Sequence, residues 1–273
     1  MSDKKYFFLA GLPRTGNTLL SSILNQNKDI NVSANSFLPD IFAHGESLRT
    51  GDLYQNFPDE NSLSDYLSSI FDSYYQNWSG KYIIDRSPWG TPENLNYLKK
   101  YLKNDIKIIV TVRDVIEIIA SIIKQNPLFL RRNYEYEIEN RWRFPGSYKT
   151  ELEIKCEIIT SSYGQLEHSM FSLLNLLQEE NRKYLHIIEY NDLIHDTENV
   201  IDKLYDFLEI EKYFHDYENI NNFNINGMTY NDNIHQCGLH DVDSRVREMT
   251  YDIKDILTED IILKYSGREF WRN

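Results

Sequence analysis

The sequence predicts a three-layer α/β fold, with a central, mostly parallel sheet flanked by helices, in one domain spanning 1–273. Three observations carry that expectation. Short unbroken apolar runs, "YFFLA" at 6–10 and "DIKIIVTV" at 105–112, read as strands buried on both faces. Helical patterns alternate with such runs, which implies crossover connections between parallel strands. A turn of small residues, "GLPRTGN", joins the first run to the first helical pattern.

The elements follow in order. After the strand at 6–10 a helix is expected from about Gly16 to Asn27. "KYIID" at 81–85 is a second strand candidate. "TPENLNYLKKYL" at 91–102 opens as a helix should, with Thr91 as N-cap, Pro92 in the first turn and Glu93 next. "DIKIIVTV" is the strongest strand and runs into the helical "RDVIEIIASIIKQN". Residues 150–180 read as one long amphipathic helix. "KYLHIIEY" at 183–190 is a further strand, followed by the helical "TENVIDKLYDFLEI". Residues 215–240, rich in Asn and His without periodicity, read as a long loop. Ligands of such sheets bind at the carboxyl ends of the strands. The segments after 10, 85, 112 and 190 are therefore the ones to inspect.

Composition narrows the classes. The net charge of −13 argues against a nucleic-acid-binding surface, though a few arginines in one cleft still bind an anion. Twenty tyrosines and 13 phenylalanines supply a core without disulfides. Cys156 and Cys237 make neither a metal pattern nor a disulfide framework. No run approaches the ~18 apolar residues of a membrane span, and no signal peptide is recognised. The expectation is a cytoplasmic protein. His186, His195, His235 and His240 lack metal-ligand spacing, so no metal is expected. "RRNYEYEIENRWRF" at 131–144 mixes charges and aromatics; it is a flap over an acceptor or a solvated helix face.

The chemistry concentrates in two stretches. Gly11 and Gly16 have the spacing of a phosphate loop, and Thr18 closes it, but Asn17 stands where the usual lysine would be. Arg14 lies inside the loop instead. Backbone N–H groups and a helix N-terminus would face an anion there, with Arg14 adding a bidentate bond and Thr15 and Thr18 adding hydroxyl donors. The plain alternative is an ordinary strand-to-helix turn. In the second stretch, Arg113 directly follows the best strand and Ser121 comes eight residues later. A helix starting near Asp114 keeps both near one side, within reach of one phosphate. The alternative is a surface ion pair for Arg113 and a packing role for Ser121.

Together, "GLPRTGNTLL" and "VRDVIEIIAS" resemble the signatures of the sulfotransferase superfamily, which uses 3′-phosphoadenosine 5′-phosphosulfate (PAPS). The resemblance implies a P-loop-like fold, no required metal, and a loop for the 5′-phosphosulfate at Pro13, Arg14, Thr15, Gly16, Asn17, Thr18 and Leu19. It assigns the 3′-phosphate to Arg113 and Ser121. "IIDRSPW" resembles the segment whose basic residue faces the sulfonate, which implies Arg86. "IIEYNDL" resembles the segment whose tyrosine contacts the nucleotide, which implies Tyr190. The tail "CGLHDVDSRV…LTEDIILKYSGREFW" is similar to that of the bacterial and tyrosylprotein-like branch. This implies backbone contacts from Gly238 or Leu239, with Arg245 a weaker candidate.

The implied reaction moves a sulfonate to a hydroxyl or amine and leaves adenosine 3′,5′-bisphosphate. The acceptor would be a small molecule, a carbohydrate or a lipid. This chain departs from the pattern at Asn17, where Thr is more usual, and at Ala34 or Asn35, where some branches carry a catalytic Glu. Ser87 falls near the His of the cytosolic small-molecule enzymes. The general base is thus left to chemistry: Asp40, His44, Glu46 and Asp85 are the nearby titratable groups. Asp40 ranks first and His44 second, four residues apart on one helix face. Asp85 reads better as an arginine's partner or a turn cap. A P-loop kinase-like phosphotransferase and a non-catalytic nucleotide-binding protein of the same fold are the rival readings.

Overall fold

The structure, a computed structural model, describes residues 4–125, 149–161, 164–231, 240, 242–246 and 251–272. Five strands form one sheet: β1 (Lys5–Leu9), β2 (Ile30–Val32), β3 (Tyr82–Arg86), β4 (Ile108–Val112) and β5 (Leu185–Glu189). Their order is β2-β3-β1-β4-β5, and every neighbouring pair is parallel.

The continuous apolar runs have their cause in two cores. Tyr6, Phe8 and Ala10 point into one, with Ile83, Ile108, Val110 and Val112. Phe7 and Leu9 point into the other, with Ile30, Ile84, Ile109 and Ile188. Alternate residues of one strand feed opposite faces. The second face is covered by α1 (Asn17–Leu24) and the helix Thr197–Leu208. The first is covered by α2 (Leu38–Ser47), α4 (Glu60–Ser68), α5 (Ile70–Tyr74), α6 (Pro92–Tyr101) and α7 (Val115–Gln125); the short helix α3 (Asp52–Asn56) adds nothing to it. Three layers result, as the sequence predicts.

The strand connections reverse direction beside β1. From β1 the chain runs to β2 on one side; from β4 it runs to β5 on the other. The crevice between the carboxyl ends of β1 and β4 is therefore the switch point at which such sheets hold ligands.

Two expectations change. The helix predicted over 150–180 is two helices, Glu151–Ile159 and Gln165–Leu176. Thr160, Ser161 and Gly164 favour turns over helix. A Cβ on Gly164 would lie 2.4 Å from the Ile159 carbonyl oxygen, so the chain folds back tightly there. Strand β2 was not expected. Its middle residue is Asn31, whose Oδ1 accepts from the Gly80 N–H at 2.7 Å. Three residues with a polar centre carry no periodicity to read. By contrast Thr91 caps α6 as predicted, accepting from the Asn94 N–H.

Candidate functional site

The loop after β1 is shaped by two glycines and an internal brace. Pairing with β4 continues past the strand, with Ala10 N–H to Ile109 O and Leu12 N–H to Thr111 O at 2.8 and 2.9 Å. A Cβ on Gly11 would stand 2.1 Å from Thr111 Oγ1 and 2.2 Å from Asn17 Oδ1, so only glycine fits. Arg14 and Gly16 take left-handed φ values of 62° and 83°, which turn the backbone around a concavity. The N–H groups of Gly16, Asn17, Thr18 and Leu19 have no acceptor among the described residues. They open at the N-terminus of α1, where the helix dipole favours an anion.

Two side chains expected at the ligand face inward. Thr15, fully buried, hydrogen-bonds Leu12 O and the Thr111 hydroxyl, both at 2.6 Å. Asn17 Nδ2 donates to Leu12 O at 2.7 Å while its Oδ1 accepts from Thr111 Oγ1 at 2.9 Å. The amide that replaces the lysine of a nucleotide-triphosphate loop thus spans the loop from within. The Thr15 hydroxyl is spent on the brace, and Thr18, half-buried, keeps the hydroxyl that remains open. Pro13 and Leu19 are likewise half-buried at the rim.

Arg14 leaves the loop toward α7, where its Nε donates to Ser121 Oγ at 3.3 Å and its Nη2 bonds Gln125. Ser121, almost wholly buried, is thereby joined to the loop. Arg113, also buried, follows β4. Its guanidinium lies 4.2 Å from the centre of the Tyr190 ring, and its Nε pairs with Glu117 at 2.5 Å. The same ring is the wall that Gly16 faces: a Cβ there would come within 3.1 Å of Tyr190. Loop, Arg113 and Tyr190 therefore converge, and Arg14 with Ser121 adjoins them.

At the end of β3, Arg86 stands beside Leu9 in the strand register. Among the described residues it has no carboxylate partner; its Nη1 donates to Tyr230 Oη at 2.5 Å. Burial pushes this guanidinium below its ordinary pKa, and the Tyr230 phenol opposes the shift. Tyr230 in turn donates to Ala34 O at 2.9 Å and lies flat against His240 at 3.7 Å between ring centres. A half-buried cation with no acid beside it among the described residues is an anion-binding feature.

Asp85 is not the arginine partner or turn cap that the sequence suggests. It is fully buried and accepts from Trp89 Nε1 at 2.6 Å and from the Tyr75 hydroxyl. Burial raises its pKa, while these hydrogen bonds pull it down. Asp40 and His44 do share α2, but both are exposed and neither is bonded to Arg14 or Arg86. Glu46 is committed to Arg49, Lys100 and Tyr101. Arg245 is an exposed partner of Glu218 at 3.5 Å. Gly238, Leu239 and the 131–144 stretch lie outside the described residues. Among the described residues no cluster has the makings of a metal site.

Sequence reasoning missed Thr111, Gln125, Glu117 and Tyr230. Thr111 had a signal: it is the polar residue within the otherwise apolar "IIVTV". Tyr230 had none, since it lies in an aperiodic stretch.

Comparison with known proteins adds to this geometry. Residues 7–216 match the profile described as "Sulfotransferase family". The fold is similar to that of a sulfotransferase domain from the Synechococcus PCC 7002 olefin synthase, at 16% identity and TM-score 0.50, covering 93% of this chain and 92% of that one. It is also similar to mouse sulfotransferase SULT7A1 complexed with PAP, at 14% identity and TM-score 0.50, covering 99% of this chain and 86% of that one. No curated protein sequence matches.

Proposed function

The chain belongs to the sulfotransferase family, and on that premise we propose that it moves a sulfonate from PAPS to a hydroxyl or amine of a small-molecule, carbohydrate or lipid acceptor. The observation that carries this reading is the pairing of two anion-seeking features at adjacent strand ends. One is the set of N–H groups at Gly16–Leu19, without an acceptor among the described residues; the other is the half-buried Arg86, without a carboxylate among them. The residues fit an anionic donor: the loop N–H groups have no acceptor among the described residues, and Arg14, Arg86 and Arg113 stand at the same strand ends.

When bound, the donor supplies an activated sulfonate, and its transfer leaves adenosine 3′,5′-bisphosphate. The N–H groups of the loop, the α1 dipole and the Thr18 hydroxyl hold the 5′ end. Arg113 and Ser121 hold the 3′-phosphate, and Tyr190 contacts the nucleotide. Gly238 and Leu239 contribute backbone contacts. Arg14 and Arg86 neutralise charge that grows on the bridging and sulfonate oxygens as the old S–O bond breaks and the new one forms. Asp40, or failing it His44, takes the acceptor's proton.

One observation favours a second reading, a non-catalytic nucleotide-binding chain: neither Asp40 nor His44 is in contact with Arg86. Isothermal titration tests the main proposal. The bisphosphate binds without metal, and ATP with magnesium does not compete. Binding of ATP with magnesium and none of the bisphosphate sinks it. Normal bisphosphate binding with no labelled sulfonate transferred to a broad acceptor set establishes the second reading.

A further inference from the structure

The last turn of the chain is tied to the ends of β4 and β5. Val112 and Glu189 are partners in the β4–β5 register, so the next residues, Arg113 and Tyr190, leave the sheet side by side. Each is flanked by an acid, Asp114 and Glu189. The turn Phe270–Arg272 reaches both. Arg272 grips Glu189 with a fork, Nε to Oε1 and Nη2 to Oε2, each at 2.8 Å. Its remaining nitrogen, Nη1, lies 2.7 Å from Asp114 Oδ1. Buried Trp271 gives Glu189 a third donor at 3.0 Å. Just before the turn, Glu269 accepts from the Val115 N–H at 2.9 Å, at the start of the helix that Arg113 precedes.

The guanidinium of Arg272 therefore fastens from behind the two strand ends that Arg113 and Tyr190 join in front. A planar fork with a third N–H free for a second carboxylate is something arginine offers and lysine does not. Arg113 itself is held by Glu117 on its own helix and by the Tyr190 face. If Asp114 and Glu189 moved apart, the Arg113–Tyr190 stack would open with them.

We infer that Arg272 is a positioning residue for the 3′-phosphate grip: by bridging Asp114 and Glu189 it holds Arg113 against Tyr190 in the geometry that reads the 3′-phosphate. The inference rests on the proposed function, because it presumes that Arg113 meets that phosphate.

The test uses the full chain, the variants Arg272→Gln and Arg272→Lys, and two nucleotides, one with a 3′-phosphate and one without. Each variant is compared with wild type on the same nucleotide, so the difference at the 5′ group cancels. Arg272→Gln lowers affinity for adenosine 3′,5′-bisphosphate about tenfold, and Arg272→Lys lowers it less, as expected for a bidentate pair near the surface. Affinity for adenosine 5′-phosphosulfate, which lacks the 3′-phosphate, stays within about twofold. In an Arg113→Ala background Arg272→Gln has no further effect, because the two act through one contact. Equal losses on both nucleotides, or the same loss with and without Arg113, overturn the inference; a merely structural turn would give that result. Should Arg272→Gln fail to fold, Arg272→Lys carries the same comparison with a smaller effect. Bisphosphate binding to the wild type with no change in either variant overturns this inference alone. No bisphosphate binding to the wild type overturns the proposed function, and this inference with it.

Discussion

The ends of β1 and β3 are neighbours in the sheet, yet they prepare for an anion in different ways. After β1 the work is done by neutral backbone. The N–H groups of Gly16–Leu19 are aimed by two glycines and by a buried brace of Thr15, Asn17 and Thr111. After β3 it is done by one charge, Arg86, half-buried and held by a hydroxyl 144 positions away in sequence. Preorganised backbone dipoles and a guanidinium both stabilise charge that grows during reaction when they are aimed at it. On the proposed function the loop N–H groups meet the 5′-phosphate that donor and product share, whereas Arg86, with Arg14, meets the sulfonate. The backbone of the first region then serves binding, and the two guanidinium groups serve rate.

The largest effect that would break this division is on turnover. Arg86→Ala is expected to slow consumption of PAPS about a hundred- to a thousandfold, while bisphosphate affinity changes less than about threefold. Turnover within about threefold of wild type would return Arg86 to a structural role. Next, Arg113→Ala should weaken the bisphosphate about ten- to a hundredfold, the worth of a charged hydrogen bond. Titration with adenosine 5′-phosphosulfate should show little of that loss.

Thr111→Val sharpens the other side of the comparison. It keeps the shape and removes the hydroxyl that joins Thr15 to Asn17. A loss of about 1–3 kcal/mol is expected from the groups left unpaired. It should appear as a lower denaturation midpoint together with weaker bisphosphate binding. An unchanged midpoint would mean the brace is dispensable. The smallest effect belongs to Tyr230→Phe, which preserves the ring stack on His240 and deletes the hydroxyl on Arg86. One neutral hydrogen bond is worth about 0.5–1.5 kcal/mol. Turnover should fall about three- to tenfold, with nucleotide affinity unmoved.

The same contrast governs what could be read from sequence. The region after β1 was legible because its determinants are local. Strand, glycines, Arg14 and helix fall within one short stretch, and their spacing survives without knowledge of tertiary contacts. The inward turn of Asn17 was not legible, since it depends on Thr111 of the adjacent strand. Arg86 could be proposed from resemblance, but its lack of an acidic partner among the described residues could not, and Tyr230 lies in a stretch without periodicity. The break at 160–164 was written in Thr, Ser and Gly yet was outweighed by the apolar pattern on either side. The C-terminal turn on Asp114 and Glu189 was invisible for the reason Tyr230 was: its partners are distant in the chain and adjacent only in the fold.

The central claim is that the carboxyl edge of β1 and β4 reads both ends of the donor nucleotide. A crystal structure with adenosine 3′,5′-bisphosphate bound tests it most directly. The account predicts the 5′-phosphate within hydrogen-bond reach of the N–H groups of Gly16, Asn17, Thr18 and Leu19, and the 3′-phosphate on Arg113 and Ser121, with Arg86 left facing the open side. A bisphosphate seated away from the loop after β1, or one whose 3′-phosphate meets neither Arg113 nor Ser121, would contradict it.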